Sequence, residues 1–486
     1  MIDRRDFLKT TLSGAALAGL FPRVSAAQMR LDPRSVRWGS GIDPLVKLIE
    51  DTPREKLVEE MAARVRKGLA YNETLAALFV AGVRNVQPRP VGFKFHAVLA
   101  INAAHQASLS GPDTERWLPI FWALDNFKVS QAEEKKKTGW TQGAIEESKV
   151  PSADKARKAF IDAIESWDVE GVDGPTVSLA RNAGSHETFE LFCRYGMRDF
   201  RDIGHKAIFV AGAWRLLQVI GWQHAEPVLR SVAQALQYYT GENPAKSNQD
   251  ADRPWKFNES VVEQIPASWR DGKLDEGAAK DVFTMCRTAD AESLSKKAVD
   301  LLKAGVSPRS IWDAIFPASG EILMRRAGIL SIHAFTTLNA LRYCYESSAN
   351  DQTRRMALLQ AVAFIPLFRG KIDKELKLDQ VEPEAATLEQ VFVDVSKDKM
   401  SASKKVLGYL KDGGDAKALI DEARRLIFVK GMDAHDYKFS SAVLEDYAQI
   451  SPGWRDRFLA ASVHHLKGSQ SPDNGLVPRV RAALKG

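Results

Sequence analysis

Apolar residues recur along nearly the whole chain at spacings of three and four, as in Leu57-Val58-Met61-Ala62-Val65 and Ala213-Leu216-Leu217-Ile220. This spacing lines one face of a helix, whereas a half-buried strand needs strict alternation, which is scarce here. The chain is therefore expected to be all-α. Polar breaks at 128–155, 240–260 and 370–402 interrupt the pattern, the middle one carrying Gly241, Pro244 and Pro254. Breaks of that length are read as functional segments or excursions over the surface. The run Lys135-Lys136-Lys137 after Glu133-Glu134 reads as solvated linker.

Four segments of the chain share one plan. Each has an apolar helix end, a glycine followed by an apolar residue, a spacer, and a helix beginning near a histidine. The helix ends are Leu78-Phe79-Val80-Ala81-Gly82-Val83, Leu191-Phe192-Cys193-Arg194-Tyr195-Gly196-Met197, Leu301-Leu302-Lys303-Ala304-Gly305-Val306 and Leu426-Ile427-Phe428-Val429-Lys430-Gly431-Met432. Glycine after a helix supplies a left-handed terminating residue. The histidines are His96, His205, His333 and His435, and six and seven residues after them stand the small pairs Asn102-Ala103, Ala211-Gly212, Asn339-Ala340 and Ser441-Ala442. A residue seven on lies two turns along the same face, so each helix carries its histidine and a small residue on one side, permitting close helix approach. The expected architecture is an array of repeated helical hairpins in one large domain, pseudo-symmetric around a central histidine cluster.

Imidazoles converging from separate helices form a natural site for iron, copper or zinc, and the candidate ligands are His96, His205, His333 and His224. His435 lies in the polar stretch Met432-Asp433-Ala434-His435-Asp436-Tyr437-Lys438, where a packing role is the stronger reading. His224 falls in Trp222-Gln223-His224-Ala225-Glu226-Pro227, where Pro227 suits the first turn of a new helix and leaves His224 in the connecting loop. Asp202 and Glu226 are the candidate proton-handling carboxylates. If 198–205 is helical, Asp199, Asp202 and His205 share a stripe; Arg198 and Arg201 offer salt bridging instead, and Gly204 argues for a helix that starts only after it. His186 and Glu190 are four apart, Glu187 reads as a helix-start residue behind a Ser185 cap, His105 faces the cavity only loosely, and His464-His465 reads as surface.

The first residues, Asp3-Arg4-Arg5-Asp6-Phe7-Leu8-Lys9, lead into a short apolar stretch from Thr11 to Phe21 and the small-residue end Val24-Ser25-Ala26-Ala27. That order is a processed targeting segment. Its paired arginines before x-Phe-Leu-Lys resemble the twin-arginine consensus, with Asp3 where Ser or Thr is usual. The resemblance implies recognition by the twin-arginine translocation machinery, a signal over 1–26, a mature domain over 27–486, and a periplasmic or otherwise exported protein, often one that takes up a cofactor before crossing.

Arg4, Arg5, Lys9 and Arg23 against Asp3 and Asp6 account for two of the six net positive charges, and the rest is too diffuse to indicate nucleic acid. With 45% hydrophobic and 27% charged residues the composition is that of a soluble globular chain, and no later stretch reaches about 18 consecutive apolar residues, so no span is expected after processing. Cys193, Cys286 and Cys344 are too few for a disulfide framework, and Cys193 and Cys344 read as buried thiols. Dinucleotide, phosphate-loop, His-Glu-x-x-His and Gly-x-Ser-x-Gly signatures are missing from the sequence.

The pairing of Ala81-Gly82-Val83 with Phe95-His96-Ala97-Val98, and of Ala304-Gly305-Val306 with Ile332-His333-Ala334-Phe335, resembles the questin oxidase-like family over roughly 70–360. The resemblance implies a helical fold and oxygen-dependent oxidation of an aromatic polyketide without a flavin motif. In that family's pattern a second histidine follows the first within a turn, which His96, His205 and His333 lack, so no catalytic role is carried over. The sequence points to a metal-binding oxidoreductase for a small apolar or aromatic molecule; the alternative is a metal-free helical-repeat protein whose concave face binds a protein or glycan.

Overall fold

The computed structural model describes residues 41–238, 243–369 and 376–486, and the segment expected to be a twin-arginine signal lies outside them. The described residues are all-α, with a single isolated bridge between Lys273 and Val306. None of their helices is long and apolar enough to cross a membrane.

Four inner helices set the architecture: His96–Ser110, His205–Ile220, Ile329–Ser347 and Ala434–Asp446. They pack in a closed cycle, the first against the second, the second against the third, the third against the fourth and the fourth back onto the first. All four histidines meet at one end, so the four helices run parallel. Each inner helix is preceded by an outer one that packs on it, namely Tyr71–Asn85, Ser185–Gly196, Pro308–Arg325 and Ala416–Lys430. The inner sequences are apolar or small nearly all round, as in His96-Ala97-Val98-Leu99-Ala100-Ile101, which suits a helix buried on every side.

The small pairs do what their spacing implies. A methyl added at Gly212 would stand 3.5 Å from Asn102 Cβ, so the first two inner helices touch there. Asn102, Ala103, Ala211, Gly212, Asn339, Ala340 and Ala442 share one small central cavity, and Ser441 Oγ donates to the Ala103 carbonyl at 2.9 Å.

The helix-end glycines act differently from the sequence expectation. Gly82 lies inside its helix, Gly196 is the last helical residue, and only Gly305, at φ +80°, takes the left-handed conformation. Gly196 is required for close approach, because an added methyl would sit 2.7 Å from Val210 Cγ2 of the neighbouring inner helix. Gly305 ends the helix Ala291–Lys303, and the whole helix Pro308–Arg325 intervenes before His333.

The polar breaks are also shorter than their composition implies. Leu118–Lys137 is one helix, so Lys135-Lys136-Lys137 is its last turn and not a linker. Its buried charges are satisfied: Lys128 Nζ donates to the Ile49 and Glu50 carbonyls at 3.0 and 2.9 Å, and Glu134 meets Lys94 at 2.7 Å. Helices Arg253–Val261, Leu388–Val395 and Lys399–Lys411 begin inside the other two breaks. All three cysteines are free and buried.

Candidate metal centre

Each inner helix presents its histidine in the first or second turn, with a device that fixes the ring. His96 follows the short 3₁₀ turn Phe93–Phe95, and its Nδ1 lies 2.7 Å from the Phe93 carbonyl. His205 opens its helix after Gly204, and its Nδ1 lies 2.6 Å from the Asp202 carbonyl. His333 Nδ1 lies 2.6 Å from the Ile329 carbonyl. His435 follows Asp433, whose Oδ1 caps the helix by accepting the His435 and Asp436 backbone N–H groups and lies 3.5 Å from His435 Nδ1.

A carbonyl oxygen only accepts, so in His96, His205 and His333 the nitrogen that carries the proton is Nδ1. Their Nε2 atoms then hold bare lone pairs, and these are turned on one another. His205 Nε2 stands 3.0 Å from His96 Nε2 and 2.9 Å from His333 Nε2. Nitrogens of His96, His333 and His435 lie within 4.8 Å of one another, a group able to hold a metal ion, and His435 Nε2 is buried with no protein partner.

A proton is not the remedy for this repulsion. Burial, reinforced by the Lys438 ammonium, pushes His96 down to about 2 and His205 and His333 well below the ordinary imidazole range. Lys438 is itself fully buried and lacks a hydrogen-bond partner, and burial brings its amine down to about 7.

The histidines floor a cavity of about 660 Å³. Its wall is mostly apolar, with Pro90, Phe93, Ile203 and Ile329, and Asp202, Asp433 and Tyr238 add polar atoms. Phe93, Ile329, Leu330 and Met432 are exposed beside it, Phe93 to 78%. Phe93 at φ 51° and Ile203 at φ 55° are two of the three described non-glycine residues with left-handed backbone. Such strain persists where the surroundings over-determine it, commonly at functional sites. At Gly92 the chain passes so close that an added methyl would meet His205 Cε1 at 3.4 Å.

Asp202 borders this cavity, both carboxylate oxygens buried without a protein partner, and burial raises it to about 7 against the pull of Lys206. The neighbouring charges are committed elsewhere: Lys206 to Asp199 at 2.8 Å and Arg201 to Asp252 at 2.8 Å. Residues 198–204 are turn rather than helix, so Asp199, Asp202 and His205 do not form a stripe, and Asp202 reaches the site through its loop.

His96, His205 and His333 are thus brought together, and His435 joins them. His224 does not. It ends the turn Trp222–His224 beyond Ile220, at the far end of the His205 helix, roughly 24 Å along its axis, and its electrostatic neighbours are Arg84 and Asp43. Glu226 is likewise remote and is held by Arg181 at 2.8 Å, which removes it as a proton-handling group. Glu190 accepts from Ser348 and Ala349 rather than pairing with His186, which packs on Trp214. Gly184 rather than Ser185 occupies the cap position, and Glu187 pairs with Arg157. His105 bonds the Tyr71 hydroxyl at 2.9 Å, and His464 and His465 are half-buried rather than on the surface.

Lys438 and Asp433 carry no repeat-based signal. The cue that would have found Asp433, and with it His435, is the capping box Asp433-x-x-Asp436, which starts a helix with His435 in its first turn. Comparisons with protein-family models, curated proteins and solved structures give no match to this chain, so the reading of the site rests on its geometry.

Proposed function

We propose that this chain is an exported metal-dependent oxidoreductase that holds iron through His96, His205, His333 and His435 and oxidises a small apolar or aromatic molecule in the adjoining cavity. The observation that carries this reading is the pair of Nε2···Nε2 contacts at 3.0 and 2.9 Å between rings whose Nδ1 atoms are already committed to carbonyls. Lone pairs facing at that distance repel, and a shared cation turns the repulsion into ligation.

Imidazole nitrogens suit iron, copper or zinc, and the oxidative chemistry of this proposal calls for a redox ion, which favours iron or copper over zinc.

A redox metal at this position supplies the chemistry of dioxygen activation. The rest falls to the chain. Backbone carbonyls hold three rings in one tautomer, as outer partners of metal ligands commonly do. The apolar wall of Phe93, Ile203 and Ile329 receives an apolar substrate. Asp202, raised to about 7 and unpartnered at the cavity edge, is suited to taking up or releasing a proton near neutrality. The twin-arginine signal supports folding around the metal before export. The test is oxygen consumption by iron-loaded protein across a panel of hydroxylated aromatic compounds. Turnover that is lost in His205→Ala and reduced in Asp202→Asn supports the reading, and no oxygen uptake with any member of the panel counts against it.

A further inference from the structure

A second cavity, of about 200 Å³, lies at the other end of the Ile329–Ser347 helix. Arg342 and Tyr345 are nine and twelve residues past His333, about 14 to 18 Å along the axis, so this cavity is separate from the histidine site. Around it stand Arg270, Arg309, Arg342, Arg354 and Tyr345, with Glu346 the one carboxylate.

The floor is rigid. Tyr345 is buried between Trp269 and Trp312, with ring centroids 6.0 and 5.5 Å away, and the Arg342 guanidinium lies 5.0 Å from the Trp312 ring and 5.1 Å from that of Tyr345. Arg342 pairs with Glu346, yet its Nε is buried without a partner. Arg270, Arg342 and Arg354 all act electrostatically on the Tyr345 hydroxyl. Ser307 begins the helix Pro308–Arg325, whose positive end also faces this region.

Positive charge outweighs negative around the cavity, because Glu346 is the one carboxylate among its lining residues and it is paired with Arg342. Among the described residues no carboxylate pairs with Arg270, Arg309 or Arg354. Arg270, Arg309 and Arg354 border one cavity with no carboxylate partner of their own and repel one another, and a multiply charged anion relieves that repulsion where a monocarboxylate would leave most of it. A phosphate group carries about −1.5 to −2 charges near neutrality and offers several acceptor oxygens to guanidinium forks.

We propose that this cavity is a phosphate-binding site, with Arg270, Arg309 and Arg354 closing on a phosphate group above the Arg342–Tyr345 floor. The proposal does not depend on the metal centre. It is tested by titrating the full-length chain with inorganic phosphate at constant ionic strength, using chloride as the balancing ion. One site per chain is expected, with affinity at least about tenfold weaker in the double variant Arg270→Ala/Arg309→Ala and in Arg354→Ala. Arg270 and Arg309 are exposed, so the double variant should keep the parent circular dichroism and melting curve. A parallel flotation assay on vesicles containing phosphatidic acid separates the sources of the group: arginine-dependent flotation identifies a lipid headgroup, and phosphate binding without flotation identifies a soluble ligand. Absence of both saturable phosphate binding below about 10 mM and flotation would overturn the proposal. So would binding that survives the arginine variants and vanishes in His205→Ala.

Discussion

His205 and His333 face each other through their Nε2 atoms at 2.9 Å while the Nδ1 of each lies 2.6 Å from a main-chain carbonyl. Neither ring is able to donate to the other without breaking its anchor, so the contact makes chemical sense when both lone pairs meet one cation.

His205 is the hub, within 3.0 Å of His96 and 2.9 Å of His333. Replacing it with alanine should weaken metal affinity by more than about 100-fold, and adding His333→Ala should cost little further, because the set acts as a unit. His224→Ala should leave metal content unchanged, since it stands at the other end of the helix. Metal content of dialysed variants checks all three.

The metal-free protein should lose stability as pH falls. His96 is depressed to about 2, His205 and His333 lie well below the ordinary range, and His105, His464 and His465 fall to about 4. The unfolded chain takes protons on these rings from about pH 6.5 downwards and the folded chain does not, so their contribution is fully present above that pH and declines towards the folded values. Each ring adds a slope of up to about 1.4 kcal/mol per pH unit. Asp202, raised to about 7, and Asp446, also raised, act in the opposite sense but are fewer. Melting of the metal-free protein from pH 7 to 4 should fall steeply, and His96→Gln should flatten the curve.

Gly204 should not tolerate a side chain. Its φ is +88°, and an added Cβ would lie 2.1 Å from Thr337 Oγ1 on the next inner helix. Gly204→Ala should destabilise the protein by about 2 kcal/mol or more and, by moving His205, reduce metal uptake. Chemical denaturation and metal titration of the same variant test both effects.

Lys206 and Asp199 form a pair with no exposed side-chain surface at 2.8 Å, directly behind His205. Lys206→Met alone should cost about 3 to 5 kcal/mol by stranding a buried carboxylate, and the double variant with Asp199→Asn should recover a large part of it. A double-mutant cycle in denaturant measures the difference.

Much of this arrangement was legible in the chain, for reasons that differ by residue. His96, His205 and His333 were found because a histidine with a small residue seven positions on marks one helix face, and that face is where the inner helices meet. The polar neighbours of His435 suggest a packing role, yet they cap the helix that aims it: Asp433 accepts from the His435 and Asp436 backbone N–H groups. His224 misled because a Trp-Gln-His loop is as plausible a site as any until the helix His205–Ile220 places it at the wrong end. The stretch 128–137 looked like linker because sequence does not show that Lys128 and Glu134 have buried partners. The three-residue spacing of Asp199, Asp202 and His205 suggests a helical stripe, but Asp202 lies in a loop and reaches the cavity from there.

The most direct test is elemental analysis, with an absorption spectrum, of the protein purified from its native compartment without added metal. Near one iron per chain, falling to background in His205→Ala, is the predicted result; less than about 0.1 equivalents of any transition metal in the parent protein would contradict it.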